Sequence, residues 1–314
     1  MAIKFEREQA LITGNGDAMY QSTATARTTT PPFVAPSAET AFVAALNNDS
    51  DLEVLEFLSR RPIHNVGMIG FIRDNGLVSK LNRGTFYGYR NGMGELEGVA
   101  LIGHATLMEI HTEEAVRAFA DVAKRSTQLH LIMGEQIQIE RFWTYYCRNQ
   151  SETRRVGREV LYQLNWPVPV HDEIKSLRAA TADEIELIVP VHARLAFEES
   201  GINPLESDPE GFRQRCARRI EQGRTWVLVE NGKLVFKAEV VADTPEVVYL
   251  EGIWVSEDKR MNGYGVRCLS QLGRKLLQHT KSVSLLANES NKAAQALYER
   301  AGFKPIGLYE SVFV

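Results

Sequence analysis

Val248-Tyr249-Leu250-Glu251-Gly252-Ile253-Trp254-Val255, Ser256-Glu257-Asp258-Lys259 and Arg260-Met261-Asn262-Gly263-Tyr264-Gly265 follow one another without a break. The first block is apolar and β-prone and reads as a strand. The last carries two glycines and runs into a stretch of helical periodicity. A strand that passes through a glycine-bearing loop into a helix builds an anion site, because the first N–H groups of the helix lack partners and the positive end of its dipole lies there. Gly263 and Gly265 matter to that site because a side chain would hold phosphate away from the amides. A glycine pair at a helix start also serves an ordinary tight turn, so this stretch alone does not decide between the two.

A second stretch decides it. After an apolar strand at 283–286 comes Asn291-Lys292-Ala293-Ala294-Gln295-Ala296-Leu297-Tyr298-Glu299-Arg300-Ala301-Gly302-Phe303. Helical spacing puts Ala294, Leu297 and Ala301 on one face suited to packing on a sheet, with Tyr298 one residue round from it. Gly302 is placed to end the helix and Phe303 to begin a strand. In order and spacing the two stretches resemble the GNAT acyltransferases: strand, Arg/Gln-x-x-Gly-x-Gly/Ala, helix, strand, then Asn-x-x-Ala-x-x-x-Tyr-x-x-x-Gly-Phe. The resemblance covers the chain from Ile174 to its end.

The resemblance implies acetyl-CoA or another acyl-CoA as cosubstrate and a primary amine as acceptor, joined by direct attack in a ternary complex. It implies a pyrophosphate held by Arg260, Met261, Asn262, Gly263, Tyr264 and Gly265. The pantetheine arm would pair like an extra strand with Ile253, Trp254 and Val255, and hydrogen-bond Asn291. Tyr298 would protonate the departing thiolate, and a backbone N–H of the same strand would meet the oxyanion. Glu251 is the first candidate for the base that takes the ammonium proton. Strand alternation puts Tyr249, Glu251 and Ile253 on one face, so Tyr249 would line the acceptor site. The plainer readings are a packed tyrosine at 298 and an ordinary surface ion pair at 251. The acidic segment Glu198-Glu199-Ser200-Gly201-Ile202-Asn203-Pro204-Leu205-Glu206-Ser207 is the expected acceptor loop.

Length and composition frame the rest. With 314 residues, 44% hydrophobic and 24% charged, the chain has the make-up of a globular protein and room for two cores. A net charge of -4 provides no general basic field for nucleic acid. Cys147, Cys216 and Cys268 are odd in number and widely spaced, which favours reduced thiols. No apolar run is long enough to span a membrane, and the N-terminus lacks a signal-peptide pattern. The expected location is the cytoplasm. His104 and His111 lack neighbours at metal-ligand spacing, so no metal is expected.

Residues 22–32 read as a threonine-rich loop ending in two prolines. Ser50-Asp51-Leu52-Glu53 and Thr181-Ala182-Asp183-Glu184 fit capping boxes. The first half then reads as helices at 50–57 and 65–73, strands at 85–90, 97–104 and 107–110, a helix at 113–124, a strand at 129–133 and a helix at 137–147. Trp166-Pro167-Val168-Pro169 marks a boundary. Beyond it the pattern repeats: strand 174–178, a helix from 181 to about 197, a helix opened by Asp208-Pro209, and strands 225–230 and 234–241 joined by Asn231-Gly232. The expected class is α+β, with two GNAT-like domains at 1–168 and 169–314, each a mixed, mostly antiparallel sheet flanked by helices. In the first, the strand ending at Ile110 runs through His111-Thr112 directly into a helix opening with Glu113-Glu114, with no glycine loop. Those carboxylates repel phosphate, so this copy reads as degenerate. Two other readings stay open. A non-catalytic acyl-CoA sensor would bind CoA without transfer. An aminoacyl-tRNA-dependent transferase would need a basic groove and no CoA loop. The oligomeric state is left open.

Overall fold

The computed structural model describes residues 42–147 and 155–314; the threonine-rich stretch at 22–32 lies outside them. The first half contributes β1 (Phe42–Ala45), α1 (Asp51–Leu58), α2 (Val66–Asn75), β2 (Gly84–Arg90), β3 (Leu96–Gly103) and β4 (Ala105–Ile110). It continues with α3 (Glu113–Ala123), β5 (Leu131–Glu135), α4 (Gln136–Tyr146) and β6 (Arg155–Leu164). The second half opens with β7 (Arg178–Ala179), α5 (Ile185–Ser200), α6 (Pro204–Ser207), α7 (Pro209–Glu221) and β8 (Thr225–Glu230). β9 (Lys233–Asp243), β10 (Val247–Val255), α8 (Tyr264–Leu276), β11 (Ser282–Asn288), α9 (Lys292–Arg300) and β12 (Lys304–Phe313) complete it. The class is α+β, a mixed sheet flanked by helices.

Local chemistry accounts for most boundaries. Thr181 and Glu184 form the expected capping box, and Arg178 reinforces it by pairing with Glu184 at 2.8 Å. Hydrogen bonds from Arg178, outweighing burial, hold the Glu184 carboxyl down at about 2. Asn231 and Gly232 both take positive φ, 50° and 71°, as a tight hairpin between right-twisted strands requires. At Ser50 the box does not form: a 3-10 turn at Asn48–Ser50 gives Ser50 φ -92° and ψ 1°, so its side chain caps nothing, and Glu53 turns to Arg90 at 2.6 Å. The expected strand at 174–178 shrinks to two residues. There the Gln271 side chain serves Ile174, accepting from its N–H at 2.8 Å and donating to its carbonyl at 3.1 Å, in place of a ladder. The segment expected as an acceptor loop is largely helical, with Glu198 and Glu199 on the last turn of α5. Cys216 and Cys268 are buried thiols outside any disulfide, and burial pushes them up to about 11 and about 12.

Both halves share one 12-stranded sheet in the order β1-β2-β3-β4-β5-β12-β6-β11-β10-β9-β8-β7. Its centre is an exchange: β6, the last strand of the first half, pairs with β11 of the second, while β12 pairs with β5 of the first. β6 and β12 also pair antiparallel with each other. The sequence reading placed no element at β6, whose first half carries Arg155, Arg158 and Glu159 and so lacks a continuous apolar signal. α8 buries Cys268, Leu269, Leu272 and Leu276 against this sheet, in one cluster with Val248, Leu250, Val283 and Leu285. α2 of the first half lies over β9 and β10 of the second, so closely that a Cβ on Gly70 would stand 2.6 Å from that of Ala242.

Candidate active site

β10 and β11 run parallel and pair only from Val247 with Ser282 to Leu250 with Leu285. Beyond Leu250 the strands part. β10 stays joined to β9 through a register shift between Glu251 and Trp254, while β11 continues to Asn288 on β6. Gly252 sits in that shift at φ +57°, a backbone state that only glycine adopts freely, and makes a bulge of it. Residues 251–255 therefore present an edge that, among the described residues, has no strand partner on the β11 side. The bulge also corrects an expectation. Tyr249 packs on the α2 side, but Ile253 and Val255 pack with Val248 and Leu250 on the α8 side, and Trp254 turns towards α5. One inserted residue reverses every side chain after it.

A buried ionic cluster supports the bulge. Lys237 and Glu239, on β9, are both fully buried, and the Lys237 ammonium lies 2.9 Å from Glu239 and 3.4 Å from the Gly252 carbonyl. Arg219 of α7 and His192 of α5, the latter at 2.7 Å, complete the carboxylate's partners. Burial alone would raise the Glu239 carboxyl; Lys237, then His192 and Arg219, hold it well below the usual range. Buried charges persist only when paired this fully.

The turn from β10 to α8 has the anion-site geometry. Gly263 caps the helix at φ +77°, no side chain caps α8, and among the described residues the N–H groups of Tyr264, Gly265 and Val266 have no acceptor. The Arg260 Nε donates to the Val255 carbonyl at 3.1 Å and ties the turn to the strand, while Met261 is 94% exposed at φ +62°. A Cβ on Gly263 would make only an ordinary 4.0 Å contact with the Arg267 side chain, so that position has room. Gly265 has none: a Cβ there would stand 3.0 Å from Leu297 and 3.2 Å from Val255, so this glycine brings α8 onto α9 and β10 and leaves its amide at the helix start.

α9 carries the other two expected residues. Asn291 caps it, accepting from Ala294 N–H at 3.0 Å, which leaves the Asn291 Nδ2 as a donor. Tyr298 is buried, edge-on to Tyr162 at 5.9 Å. Burial, then Glu199 and Tyr162, pushes its hydroxyl far above the usual tyrosine range, so it stays protonated and able to donate.

Glu199 is one of three neighbouring carboxylates. Glu251 on β10, Glu159 on β6 and Glu199 on α5 influence one another electrostatically; burial first, then Glu251 and Glu159, pushes the Glu199 carboxyl up to about 7. Burial also raises Glu159, which accepts from Ser311 at 2.8 Å. Tyr249, buried, lies against Glu251 and is raised well above the phenol range by burial and that charge. Tyr249 and Glu251 open onto a cavity of roughly 260 Å³ whose opposite wall includes Glu109, Glu135 and Gln138. Glu159 and that opposite wall escaped the sequence reading: no local pattern reports which strands an exchange makes neighbours.

In the first half the corresponding strands also part, β4 and β5 pairing only at Ala105 with Leu131 and Thr106 with Ile132. There the gap is filled from within, because Arg61 pairs with Glu109 at 3.2 Å and with Glu135. Thr112 caps α3, and Glu113 at its first position binds Arg141 at 2.7 Å. Among the described residues, no three His, Cys, Asp or Glu side chains converge to hold a metal ion, and no helix is long and apolar enough to cross a membrane.

Comparison with known proteins agrees with this geometry. A curated UPF0039 protein of Schizosaccharomyces pombe is 34% identical over 74 residues, 24% of this chain and 49% of that protein, so the chain spans about half the length of the curated relative it matches. Among solved structures, a GNAT-family acetyltransferase from Colwellia psychrerythraea superposes with a TM-score of 0.55 at 14% identity, over 86% of this chain and 98% of its own. A Drosophila protein reaches 0.64 at 12% identity, over 87% and 99%. A tandem GNAT protein from the clavulanic acid biosynthesis pathway reaches 0.53 at 15%, over 87% and 98%. At such identities these likenesses speak for the fold. The sequence profile of the acetyltransferase (GNAT) family matches residues 192–303, the segment holding the parted strands, the uncapped helix and Tyr298. Residues 192–303 thus belong to the acetyltransferase (GNAT) family.

Proposed function

We propose that the C-terminal half, 169–314, transfers an acetyl or longer acyl group from acyl-CoA to a primary amine by direct attack in a ternary complex. The observation that carries this reading is the parting of β10 from β11 at Leu250 and Leu285, on the strand that leads into the uncapped N-terminus of α8. The open edge at 251–255 fits an amide-bearing chain such as a pantetheine arm, with Ile253, Trp254 and Val255 as its partners and the Asn291 Nδ2 as a further donor. The amides of the turn at 260–265 suit a pyrophosphate. Acyl-CoA, when bound there, supplies the thioester.

The chain's own groups do the rest. Glu251 takes a proton from the ammonium, directly or through water, freeing its lone pair to form the new C–N bond. A backbone N–H of β10 holds the negative charge that develops on the thioester oxygen. As the C–S bond breaks, Tyr298 gives its proton to the leaving sulfur and is reprotonated by the second proton lost from the nitrogen as the amide forms. Glu199, poised at about 7 beside Glu251, is a second carboxylate able to accept the amine's proton. We read residues 1–168 as a degenerate GNAT-like copy: α3 is capped and acidic where a phosphate would sit, and Arg61 occupies the gap between its parted strands.

Gly263→Asp tests the phosphate assignment, since it strains the positive φ and sets a carboxylate at the helix start. Calorimetry with coenzyme A is expected to show binding abolished; unchanged affinity removes the assignment.

A further inference from the structure

The cavity beside Glu251 reaches beyond the half that holds the acyl-transfer residues. Its middle is apolar, with Phe71, Leu107, Met133 and Leu286 among its walls, and polar groups collect at two ends. One end is Glu251 and Tyr249. The other belongs to the first half: Glu109 on β4, Glu135 closing β5, and Gln138 in the first turn of α4.

This second end is short of donors. Gln138 is 9% exposed; its Nε2 donates to Glu135 at 3.2 Å, but its Oε1 is buried and has no hydrogen-bond partner among the described residues. A buried amide oxygen is ordinarily satisfied, and one left bare in a cavity wall calls for a donor from the cavity. The charges agree. Arg61 supplies one guanidinium to two carboxylates, Glu109 and Glu135; besides the Gln138 amide on Glu135, their further partners are imidazoles, His111 at 3.2 Å from Glu109 and His64 at 3.4 Å from Glu135. His64 also meets the Tyr309 hydroxyl at 2.9 Å. At the opposite end Glu251 has Glu159 and Glu199 for neighbours, and Arg219, which also lines the cavity, is engaged with Glu239. At roughly 260 Å³ the cavity is slightly below the size usual for drug-like ligands, which favours a small metabolite over a peptide.

We propose that the acceptor is a small aliphatic diamine, acylated on the amine at Glu251 and held at its far amine by the Gln138 Oε1 and Glu135, with the apolar walls around the intervening carbons. The first half of the chain thereby serves as the specificity wall of the second. This rests on the reading that Glu251 receives the amine to be acylated.

The test is calorimetric titration of the full chain, saturated with coenzyme A, with straight-chain diamines of three to eight carbons and with monoamines of equal length. One diamine length is expected to bind at least about tenfold tighter than its monoamine. Gln138→Met, which keeps the volume and removes the oxygen, is expected to erase that advantage and leave monoamine and coenzyme A affinities unchanged. Equal affinity at every length overturns the proposal, as does a preference that Gln138→Met leaves intact. Should that variant not fold, the length series on the unmodified chain still decides: a sharp optimum supports two-ended recognition, and affinity that only rises with carbon count refutes it. A diamine bound at such an optimum but never acylated refutes the acyltransferase reading and leaves this subsite standing. Transfer to monoamines and diamines alike does the reverse.

Discussion

The Lys237 ammonium, fully buried, lies 3.0 Å from the point where a Cβ on Gly252 would stand. Gly252→Ala therefore meets two costs at once. At φ +57° an L side chain costs about 1–2 kcal/mol, and the new methyl must displace a charge whose carboxylate partner, Glu239, is itself buried. Denaturant unfolding is expected to show a loss of at least about 1–2 kcal/mol. Transfer should fall as well, because the bulge opens the edge at 251–255. Parental stability in the variant would remove the strain argument.

Tyr298→Phe deletes one hydroxyl from a buried ring that keeps its packing on Tyr162 and Phe303. A positioned acid contributes roughly 10²–10⁴-fold in rate, so turnover should drop by that order while coenzyme A affinity holds. Steady-state CoA release, with calorimetry alongside, separates the two. A variant as fast as its parent leaves Tyr298 a packing residue.

Glu199 makes stability depend on pH in an unusual direction for a carboxylate. Its folded value of about 7, set by burial and then by Glu251 and Glu159, lies above the ~4.3 of an unfolded glutamate. Between those values the native state holds the proton and the unfolded chain does not, so this group's contribution falls as pH rises from about 4.3 through about 7. Glu199 is exposed to water even though protein surrounds much of its carboxyl, and solvent screening weakens the effect. Glu199→Gln should gain more in Tm over the parent near pH 8 than near pH 5. Equal gains at both would mean that the carboxyl titrates normally.

The second half was legible where its signals are local. Thr181 with Glu184, Asn231 with Gly232 and the glycines of the turn at 260–265 each specify a cap or a backbone angle by chemistry within a few residues, and each appears in the structure. Gly252 also carried a signal, since glycine inside a strand marks a bulge. Strict alternation passed over it and put Ile253 on the wrong face. Ser50 failed for a local reason of its own, the 3-10 turn ahead of it. β6 and the Glu135 and Gln138 wall were beyond such reading, because their partners lie more than a hundred residues away across the exchange.

That exchange makes a prediction of its own. β6 carries the buried Leu161, Tyr162 and Leu164 into the second half's sheet, next to β11. At roughly 1.5–3 kcal/mol each, these three side chains are worth on the order of 5–9 kcal/mol, much of the ~5–15 kcal/mol that holds a typical domain together. Residues 169–314 expressed alone would lose them and leave the edge of β11 unpaired, an invitation to aggregate. Residues 1–168 alone would lack β12 from between β5 and β6. Each fragment is expected to be insoluble or unfolded by circular dichroism, and the two co-expressed should assemble and bind coenzyme A. Cutting the full chain within 165–177 should leave the pieces associated on gel filtration, because the linking segment contributes little of the pairing that joins them. A fragment of 169–314 that is monomeric, cooperatively folded and binds coenzyme A as tightly as the whole chain would show that β6 is dispensable and the halves are independent.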